Sequence, residues 1–408
     1  MISKKLIVIG GGAAGFFCAV NAARMNPNLQ VVLLEKQKSL LSKVKVSGGG
    51  RCNVTHACFE IAELAKFYPR GQNFLKKAFH WFNTKDTVNW YEERGVQLKA
   101  EADGRMFPIT DSSQTIIDCL LKESTQYRVE VITGCEVVSI QNLNDKWIVN
   151  TTSVNHTTDF LMVSAGGFAT SAKFDWIKQT GHSIEVPVPS LFTFNMPKNP
   201  ITDLMGVSIP NVQIKLIGSK LQSNGPLLIT HWGMSGPAVL KFSAWGAREL
   251  ADKKYSFTIL VNWLSDMNEQ KLREEWSTLR NANATQKMGG KNPFGLPTRL
   301  WQYFLINCGI KEDTRWGELV SANQNKLIVT LTAHKFEVNG KTTFKEEFVT
   351  CGGIKLSEVD SNTMESKKVR NLFFAGEILD IDGVTGGFNF QNAWTGGWIA
   401  AKAIAERG

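Results

Sequence analysis

A glycine-rich turn between an apolar run and an alanine-rich run constrains the fold of this chain more than any other feature. The residues read Leu6-Ile-Val-Ile-Gly10-Gly-Gly12-Ala-Ala-Gly15, followed by Phe16-Phe-Cys-Ala-Val-Asn-Ala-Ala-Arg24. The four apolar residues before the glycines are typical of a buried parallel strand, and the run after them predicts a helix. We therefore expect the chain to open with the strand, turn and helix that begin an α/β Rossmann domain.

The spacing of glycines and acid in this unit predicts a dinucleotide site. Gly10 permits the tight turn, Gly12 lets a pyrophosphate approach the backbone at the positive helix end, and Gly15 lets helix and strand pack closely. A second apolar run then leads to Glu35, whose carboxylate can bind an adenosine ribose and would repel the 2′-phosphate of NADP. Glycines alone would also suit a tight turn without ligand, but the full order of strand, glycines, helix, strand and acid favours the dinucleotide.

The last forty residues repeat the pattern of an apolar strand followed by glycines and a helix. The apolar run ends at Gly376 and Glu377, and Gly383-Val-Thr-Gly386-Gly387-Phe-Asn389 precedes a terminal alanine-rich run. Glycines at such a helix start can bind the ribityl and pyrimidine edge of a flavin, because the helix dipole favours negative charge on reduced flavin. We expect the chain to return to its first domain and to hold FAD with both of its ends.

Composition narrows the class of protein. The 408 residues leave room for two or three domains, and the net charge is +9 without a dense Lys/Arg run, which favours a solvated basic surface over a nucleic-acid stripe. The seven cysteines are scattered without metal-ligand spacing, so we expect a reducing compartment and no metal site. With no apolar run long enough for a membrane span and no signal-like N-terminus, the expected location is cytoplasmic.

Three strand-like stretches before the middle of the chain suit an FAD domain better than a simple dehydrogenase. They end at Ala165-Gly166-Gly167 and are expected to form a β-meander that feeds a last core strand. They are residues 128–141, 146–152 and 158–164.

Five motifs in order give the chain a resemblance to a known family. Over essentially its whole length it resembles the bacterial BaiN-like, also called YhiN-like, family of FAD-dependent oxidoreductases. The resemblance implies a glutathione-reductase-like FAD/NAD(P)-binding Rossmann domain, interrupted by an insertion with a β-barrel and a small helical module. The motifs are Ser47-Gly-Gly-Gly-Arg-Cys-Asn53, Gly104-Arg-Met-Phe-Pro108, Thr230-His-Trp-Gly-Met-Ser-Gly-Pro237, Cys351-Gly-Gly-Ile354 and Gly376-Glu-Ile-Leu-Asp-Ile-Asp-Gly-Val-Thr-Gly-Gly-Phe-Asn389.

Composition locates the insertion between Val186-Pro-Val-Pro189 and Phe344. Strand-like runs at 212–217, 255–260 and 327–331 flank helix-like stretches at 268–280 and 297–307. We predict a discontinuous FAD-binding domain at 1–188 and 344–408, an inserted β-barrel domain at 189–264 and 325–343, and a helical module at 265–324.

The resemblance also implies which residues line FAD. Leu41-Ser42 replaces the family's usual small Gly-Arg pair before Lys43, and Lys45 stands at an apolar position, so contacts at the pyrophosphate and ribityl are expected to differ. The implied residues are Gly10, Gly12, Ala14, Gly15, Glu35, Lys36, Lys43, Gly49, Gly50, Arg51, Cys52, Val137, Ala165, Gly166, Gly376, Asp380, Gly387, Phe388 and Asn389.

Two residues are the leading candidates for chemistry on a substrate. His231 lies among glycines in a turn and is the first candidate for proton transfer, although a loop histidine bonded to backbone is an equal interpretation. Arg51 could bind a substrate carboxylate, or instead anchor a phosphate or a loop. Cys52 and Cys58 suit a redox disulfide less well, because five residues separate them.

The predicted activity is FAD-dependent reduction of an activated C=C bond in a small apolar enone or steroid-like ketone. NAD(P)H is the expected donor and would dock transiently, because a second complete strand-glycine-helix unit is missing from the sequence. Amine oxidation, which the resemblance also implies, stays open, as do an FAD-containing RNA-modifying protein and a flavin sensor without turnover. Nucleic acid is not the expected partner, and the oligomeric state is left open.

Overall fold

The computed structural model describes residues 3–290, 292–342 and 349–408. The chain divides into two compact units, Met1–Ser190 with Phe344–Gly408, and Leu191–Thr343. The predicted bounds of the FAD-binding domain, the inserted β-barrel domain and the helical module stay predictions.

The elements of the first unit come from both ends of the chain. Its first part contains β1 (Lys5–Ile9), α1 (Ala13–Met25), β2 (Gln30–Glu35), α2 (Ser42–Gly50), β3 (Thr55–His56), α3 (Ile61–Ala65), α4 (Gln72–Ala78), α5 (Thr84–Glu92), β4 (Leu98–Ala100), β5 (Arg105–Pro108), α6 (Ser113–Gln126), β6 (Glu130–Thr133), β7 (Val137–Leu143), β8 (Lys146–Thr151), β9 (His156–Thr158), β10 (Phe160–Val163), α7 (Asp175–Lys178) and β11 (Ile184–Ser190).

The second unit lies between the two parts of the first. It contains β12 (Thr193–Asn195), β13 (Ser208–Leu216), β14 (Gln222–Thr230), β15 (Gly233–Ser235), α8 (Pro237–Trp245), α9 (Ala247–Asp252), β16 (Ser256–Asn262), α10 (Glu269–Ala282), α11 (Thr298–Asn307), α12 (Ser321–Ala333), β17 (His334–Asn339) and β18 (Lys341–Thr342). The first unit then resumes with β19 (Val349–Ile354), β20 (Leu372–Phe374) and α13 (Phe388–Ala405). Short 3₁₀ turns cover Ser171–Phe174, Pro200–Leu204, Trp316–Glu318, Leu356–Glu358 and Gly376–Ile378.

A five-stranded parallel sheet forms the centre of the first unit. Its strand order is β20-β10-β1-β2-β6, with Ile7 paired to Leu161 on one side and to Val32 on the other. All four residues of β10 and four of the five in β1 are buried, as expected for strands covered on both faces. Helix α13 packs against α1, so the C-terminal segment completes the sheet and the helical layer that the N-terminal segment begins.

The predicted meander is present, with one correction. Strands β7, β8 and β9 form a three-stranded antiparallel sheet that leads into β10. Residues 128–141, however, form two strands rather than one. Gly134 has a left-handed backbone (φ +68°) and Cys135 donates to the carbonyl of Glu35 (2.9 Å), so β6 joins the central sheet before the chain turns into β7.

The second unit is built on a seven-stranded sheet with the order β17-β16-β13-β14-β15-β12-β18. Hydrogen bonds join neighbouring strands in this order. That the sheet closes into the predicted β-barrel stays a prediction. The strand predicted at residues 327–331 is wrong, because these residues belong to α12. Leu327, Ile328 and Leu331 are buried on one side of that helix, and a five-residue apolar run fits a buried helix turn as well as a strand.

Candidate functional site

The turn between β1 and α1 is shaped by its glycines. Gly10 is left-handed (φ +107°), and a methyl group on Gly15 would lie 1.9 Å from the Gly10 carbonyl oxygen and 2.6 Å from Ser164 Oγ. Gly12 differs, since a methyl group there would meet none of the described atoms within 4 Å. Gly12 is also the N-cap of α1 and has no side chain to bind the first-turn amides. Gly10 and Gly15 are therefore required for packing, whereas Gly12 borders open space at a helix N-terminus.

Glu35 is fixed beside this turn at the end of β2. One carboxylate oxygen accepts a hydrogen bond from the Gly11 amide (2.7 Å) and the other accepts from the Gln37 amide (2.8 Å). An ionised carboxylate has about four acceptor positions, so both oxygens retain capacity for ribose hydroxyls. The neighbouring Lys36 is exposed.

The Ser47-Gly-Gly-Gly motif interrupts α2 with a kink. Ser47 is extended, while Gly48 and Gly49 have left-handed backbones. A methyl group on Gly49 or Gly50 would meet none of the described atoms within 4 Å. The motif is thus an ordered, open turn rather than part of a regular helix.

Cys52 follows this turn in a buried position. Burial raises the pKa of its thiol to about 12, so the thiol stays protonated at neutral pH and is a poor nucleophile. All seven cysteines lie within the described residues and are free thiols, and no disulfide joins Cys52 to Cys58. A redox role for this pair gains no support from the structure.

Arg51 is held by acidic residues. It donates to Glu101 (2.7 Å), lies 3.6 Å from an oxygen of Asp111, and its guanidinium stands 4.0 Å over the Phe107 ring. Arg105 binds the same Glu101. The structure therefore ties Arg51 to the β4–β5 hairpin and to the loop before α6, and its catalytic role stays a prediction.

Four predicted positions follow strands of the central sheet. The parallel order brings the carboxyl ends of β1, β2, β10 and β20 to one edge, where α/β proteins bind ligands. Gly10, Glu35, Ala165-Gly166 and Gly376 stand at these ends, and a methyl group on Gly166 would also meet none of the described atoms within 4 Å. Val137 is half-buried at the start of β7.

The C-terminal motif approaches the first turn. A methyl group on Gly376 would lie 3.1 Å from Cβ of Ala14, and Lys43 forms an ion pair with Glu377. The amide of Asp380 donates to the Ile354 carbonyl (3.0 Å). Ala14 and Lys43 from the N-terminal motifs therefore contact the segment that begins with Gly376.

The start of α13 is arranged by a glycine and an asparagine. Gly387 is a left-handed N-cap (φ +93°), and a methyl group on it would lie 2.5 Å from the Thr55 carbonyl oxygen. Asn389 both donates to the Gly383 carbonyl (3.0 Å) and accepts from the Gly383 amide (2.8 Å). These two hydrogen bonds fix the loop before the helix.

Phe388 contributes to this region differently from the expectation. Its ring is buried in a cluster with Phe67 (4.3 Å) and His56 (4.7 Å), and its carbonyl accepts from Tyr68 (2.7 Å). Since protein encloses the side chain, only the backbone of Phe388 is available to a cofactor. Phe67 and Tyr68 belong to none of the glycine motifs, and no local sequence pattern marks them as part of this region.

The donor groups along this edge fit FAD. We use the name open glycines for Gly12, Gly49, Gly50 and Gly166, at which an added methyl group meets none of the described atoms. They leave room for a cofactor to approach the backbone, the N-terminus of α1 suits a pyrophosphate, and the N-terminus of α13 suits an electron-rich flavin edge. Glu35 supplies the acceptor that a ribose requires.

His231 belongs to the second unit, in the turn between β14 and β15. It is exposed, and its ring lies 4.4 Å from the ring of Trp232 at a near-perpendicular angle. The indole N–H of Trp232 donates to the Thr193 hydroxyl (3.1 Å). The role of His231 in proton transfer stays a prediction.

Comparison with known proteins identifies the family. The sequence pattern of the family described as HI0933-like protein Rossmann domain matches residues 4–403. The chain belongs to this family. The match confirms the resemblance found in the motifs, and family and fold together identify the chain as an oxidoreductase of the FAD-binding Rossmann type.

Curated relatives of this HI0933-like chain match it over almost their whole length. It is 30% identical to the ribosomal RNA dihydrouridine synthase of Escherichia coli, covering 98% of this chain and 97% of that protein. It is 26% identical to the 3-dehydro-bile acid delta(4,6)-reductase of Clostridium scindens, covering 99% and 100%. Both names describe enzymes.

A solved structure supports the fold. The 3-ketosteroid-delta4-(5alpha)-dehydrogenase of Rhodococcus jostii superposes with a TM-score of 0.52 at 11% identity, covering 98% of this chain and 97% of that one. At such low identity the likeness concerns the fold alone. Within the described part of the chain, every helix is too short or too polar to cross a membrane.

Proposed function

We propose that the HI0933-like chain is a reductase that uses FAD to add hydrogen across a C=C bond conjugated to a carbonyl group. The observation that carries the proposal is the set of open glycines: Gly12 and Gly166 follow strands of the parallel sheet at its carboxyl edge, and Gly49 and Gly50 lie in the kinked turn that ends α2. When bound, FAD would supply hydride chemistry. The chain would hold the cofactor's pyrophosphate with the amides of α1 and its ribose with Glu35, and the α13 dipole would favour negative charge at the pyrimidine edge.

The chemistry named in two relatives supports this bond type. Formation of a dihydrouridine adds hydrogen across the C5=C6 bond of uracil, which is conjugated to the C4 carbonyl. Reduction at a steroid 4,6-diene that carries a 3-keto group acts on the same kind of conjugated bond. The two relatives thus share an electron-poor alkene, although their substrates differ greatly in size and polarity.

For the substrate itself we propose uridine within ribosomal RNA. The relative with that name is 30% identical over nearly all of both chains, and the net charge of +9 suits a polyanionic partner. This proposal departs from the sequence-based expectation of a small apolar substrate. A second candidate, a steroid-like enone, is favoured by the 26% identical reductase.

NAD(P)H is proposed as the electron donor, with transient docking. The proposal places one dinucleotide, FAD, at the edge of the central sheet, so a nicotinamide donor would reach the flavin only in the first half of each turnover, before the substrate binds. A donor that leaves after each reduction also frees the site for substrate.

An anaerobic spectrum tests the activity first. We expect NADH or NADPH to bleach the flavin absorbance of the purified protein, and a ribosomal RNA transcript to restore it. Nuclease digestion of that RNA should then yield uridine with the mass of two added hydrogens. Restoration by a 3-keto-4-ene steroid and not by RNA would favour the second candidate. Bleaching by an amine, or a reconstituted protein that holds no flavin, would contradict the proposal.

A further inference from the structure

The excess positive charge of the chain is concentrated in the second unit. Residues 191–343 carry 18 Lys and Arg against 11 Asp and Glu, which is +7 of the total +9. The first unit is nearly balanced, since it holds the other 28 basic and 26 acidic residues. Electrostatic attraction for a polyanion therefore resides mainly in the insertion rather than in the flavin-binding unit.

An exposed tryptophan lies within this basic unit. Helix α8 buries Val239, Phe242 and Ala244, but Trp245 at its end has 46% of its surface exposed. Lys241 precedes Trp245 by four residues and so lies on the same side of the helix. A large aromatic side chain in water, next to a cation, is the pairing with which proteins stack a nucleobase and hold its phosphate.

The β13–β14 hairpin brings further positive charge to this tryptophan. Gly246, the next residue, is packed so closely under Leu221 that an added methyl group would lie 2.3 Å from its Cδ2. Ser219 on the same hairpin donates to Glu249 of α9 (2.9 Å). These contacts place Lys220, exposed at the hairpin tip, beside the turn that presents Trp245.

In the sequence around this turn, basic residues outnumber acidic ones. The stretch from 241 to 254 contains four basic residues and two acidic ones, and one of the two, Glu249, is turned to Ser219. We call the group the Trp245 patch. It consists of Trp245 with Lys220 and Lys241.

We propose that the Trp245 patch is an RNA-binding surface that stacks an unpaired base on Trp245 and binds the adjoining phosphates with lysine. This inference rests on the proposed function, because ribosomal RNA is the substrate proposed there. It assigns RNA recognition to the second unit, apart from the residues that would hold FAD. Single-stranded RNA suits the patch, since its bases can be splayed out and stacked on an aromatic side chain.

Binding of a labelled single-stranded fragment of ribosomal RNA to the full-length, flavin-loaded protein tests the inference. Trp245→Ala should weaken binding roughly ten-fold. Lys220→Gln with Lys241→Gln should flatten the slope of log K against log salt by about 0.7 per lysine removed. Flavin content, melting temperature and the rate of flavin reduction by the nicotinamide donor should stay unchanged.

The first unit offers a matched control. Trp81 is 44% exposed and lies 4.3 Å from a lysine, Lys402, so Trp81→Ala removes an equivalent side chain from the other unit. It should leave RNA binding unaltered. Equal weakening by both tryptophan variants would overturn the assignment.

The remaining outcomes separate this inference from the proposed function. If the wild-type protein forms dihydrouridine but Trp245→Ala binds RNA normally, the patch is wrong and the function stands. If Trp245→Ala loses binding to phosphatidylserine vesicles but not to RNA, the patch serves a membrane surface and the inference is also wrong. If the wild-type protein neither binds RNA nor forms dihydrouridine, both proposals fail.

Discussion

At the scale of single residues, the structure separates side chains that serve packing from those that are available to a ligand. Phe388 belongs to a cofactor motif, yet its ring is buried and packs against Phe67 and His56. Glu35 has both oxygens engaged by backbone amides and still faces the glycine turn. Membership of a motif therefore predicts where a residue lies better than it predicts which of its atoms act.

Substitution of Glu35 tests its role in binding the cofactor. Glu35→Ala removes the ribose acceptor and leaves the buried Gly11 amide without its carboxylate partner, so the Kd for FAD should rise ten-fold or more. Flavin retained on purification and titration of the apoprotein measure this. Glu35→Gln keeps one acceptor oxygen and should give an intermediate Kd. Full flavin content in Glu35→Ala would contradict the ribose assignment.

His334 makes the second unit sensitive to acid. Burial lowers the pKa of its imidazole from 6.5 to about 4, and its Nδ1 accepts a hydrogen bond from the Trp263 indole (3.3 Å). Because the pKa is lower in the folded state, the unfolded state binds the proton first as the pH falls. The contribution to stability is complete above the ordinary pKa and is lost between that value and about 4.

We therefore expect His334 to cost about 2 kcal/mol of unfolding free energy when the pH falls from 7.5 to 5. Urea unfolding at both pH values measures the loss. His334→Phe should reduce the difference between the two pH values, whereas His80→Gln, which alters an exposed histidine, should leave it unchanged. A difference that persists in His334→Phe would assign the acid sensitivity to other groups.

At the scale of elements, two helices show how much secondary structure a local sequence pattern can predict. Helix α1 follows from its glycines and small residues, since close approach to β1 requires Gly15 whatever the rest of the chain does. The sequence predicts a strand over 327–331 where the structure has part of α12, because a short apolar run has no unique period. Only its packing in the hydrophobic core of the second unit selects the helix.

Two substitutions in the β1–α1 turn separate packing from ligand binding. Gly15→Ala places a methyl group against the Gly10 carbonyl oxygen and should destabilise the protein by about 3 kcal/mol or more. Gly12→Ala adds the same atom in open space at φ −91°, so the protein should fold normally but bind FAD more weakly. Melting of the apoproteins and flavin titration give the two readouts. Normal FAD affinity in a folded Gly12→Ala variant would argue against a pyrophosphate at this turn.

At the scale of the whole molecule, the first unit is assembled from distant parts of the chain. Strand β20 and helix α13 complete the sheet and the helical layer that β1, β10 and α1 begin. The second unit is inserted in the chain between β11 and β19. Those two strands are antiparallel neighbours, with Ser190 paired to Val349. The ends of the insertion are therefore close enough for a short turn to join them.

Replacement of the residues between Ser190 and Val349 by a short glycine-rich turn should give a protein that folds and retains FAD. The reason is that the central sheet and α13 lie outside the removed segment. Flavin absorbance per protein and a cooperative melting transition measure the outcome. A fragment that ends before β19 is the control and should bind no flavin, since it lacks β20 and α13. An insoluble or flavin-free spliced protein would show that the first unit depends on the second.

The sequence by itself determined the first turn, the Rossmann class, the return of the C-terminal segment and the family, because each depends on local spacing of glycines, apolar runs and acids. Tertiary structure alone decided that Phe388 is enclosed, that Arg51 is bound to Glu101, that residues 327–331 are helical and that Trp245 is exposed beside the β13–β14 hairpin. These features depend on residues far apart in the chain. Burial and charge pairing are set by whichever surfaces the fold brings together, and no local pattern contains that information.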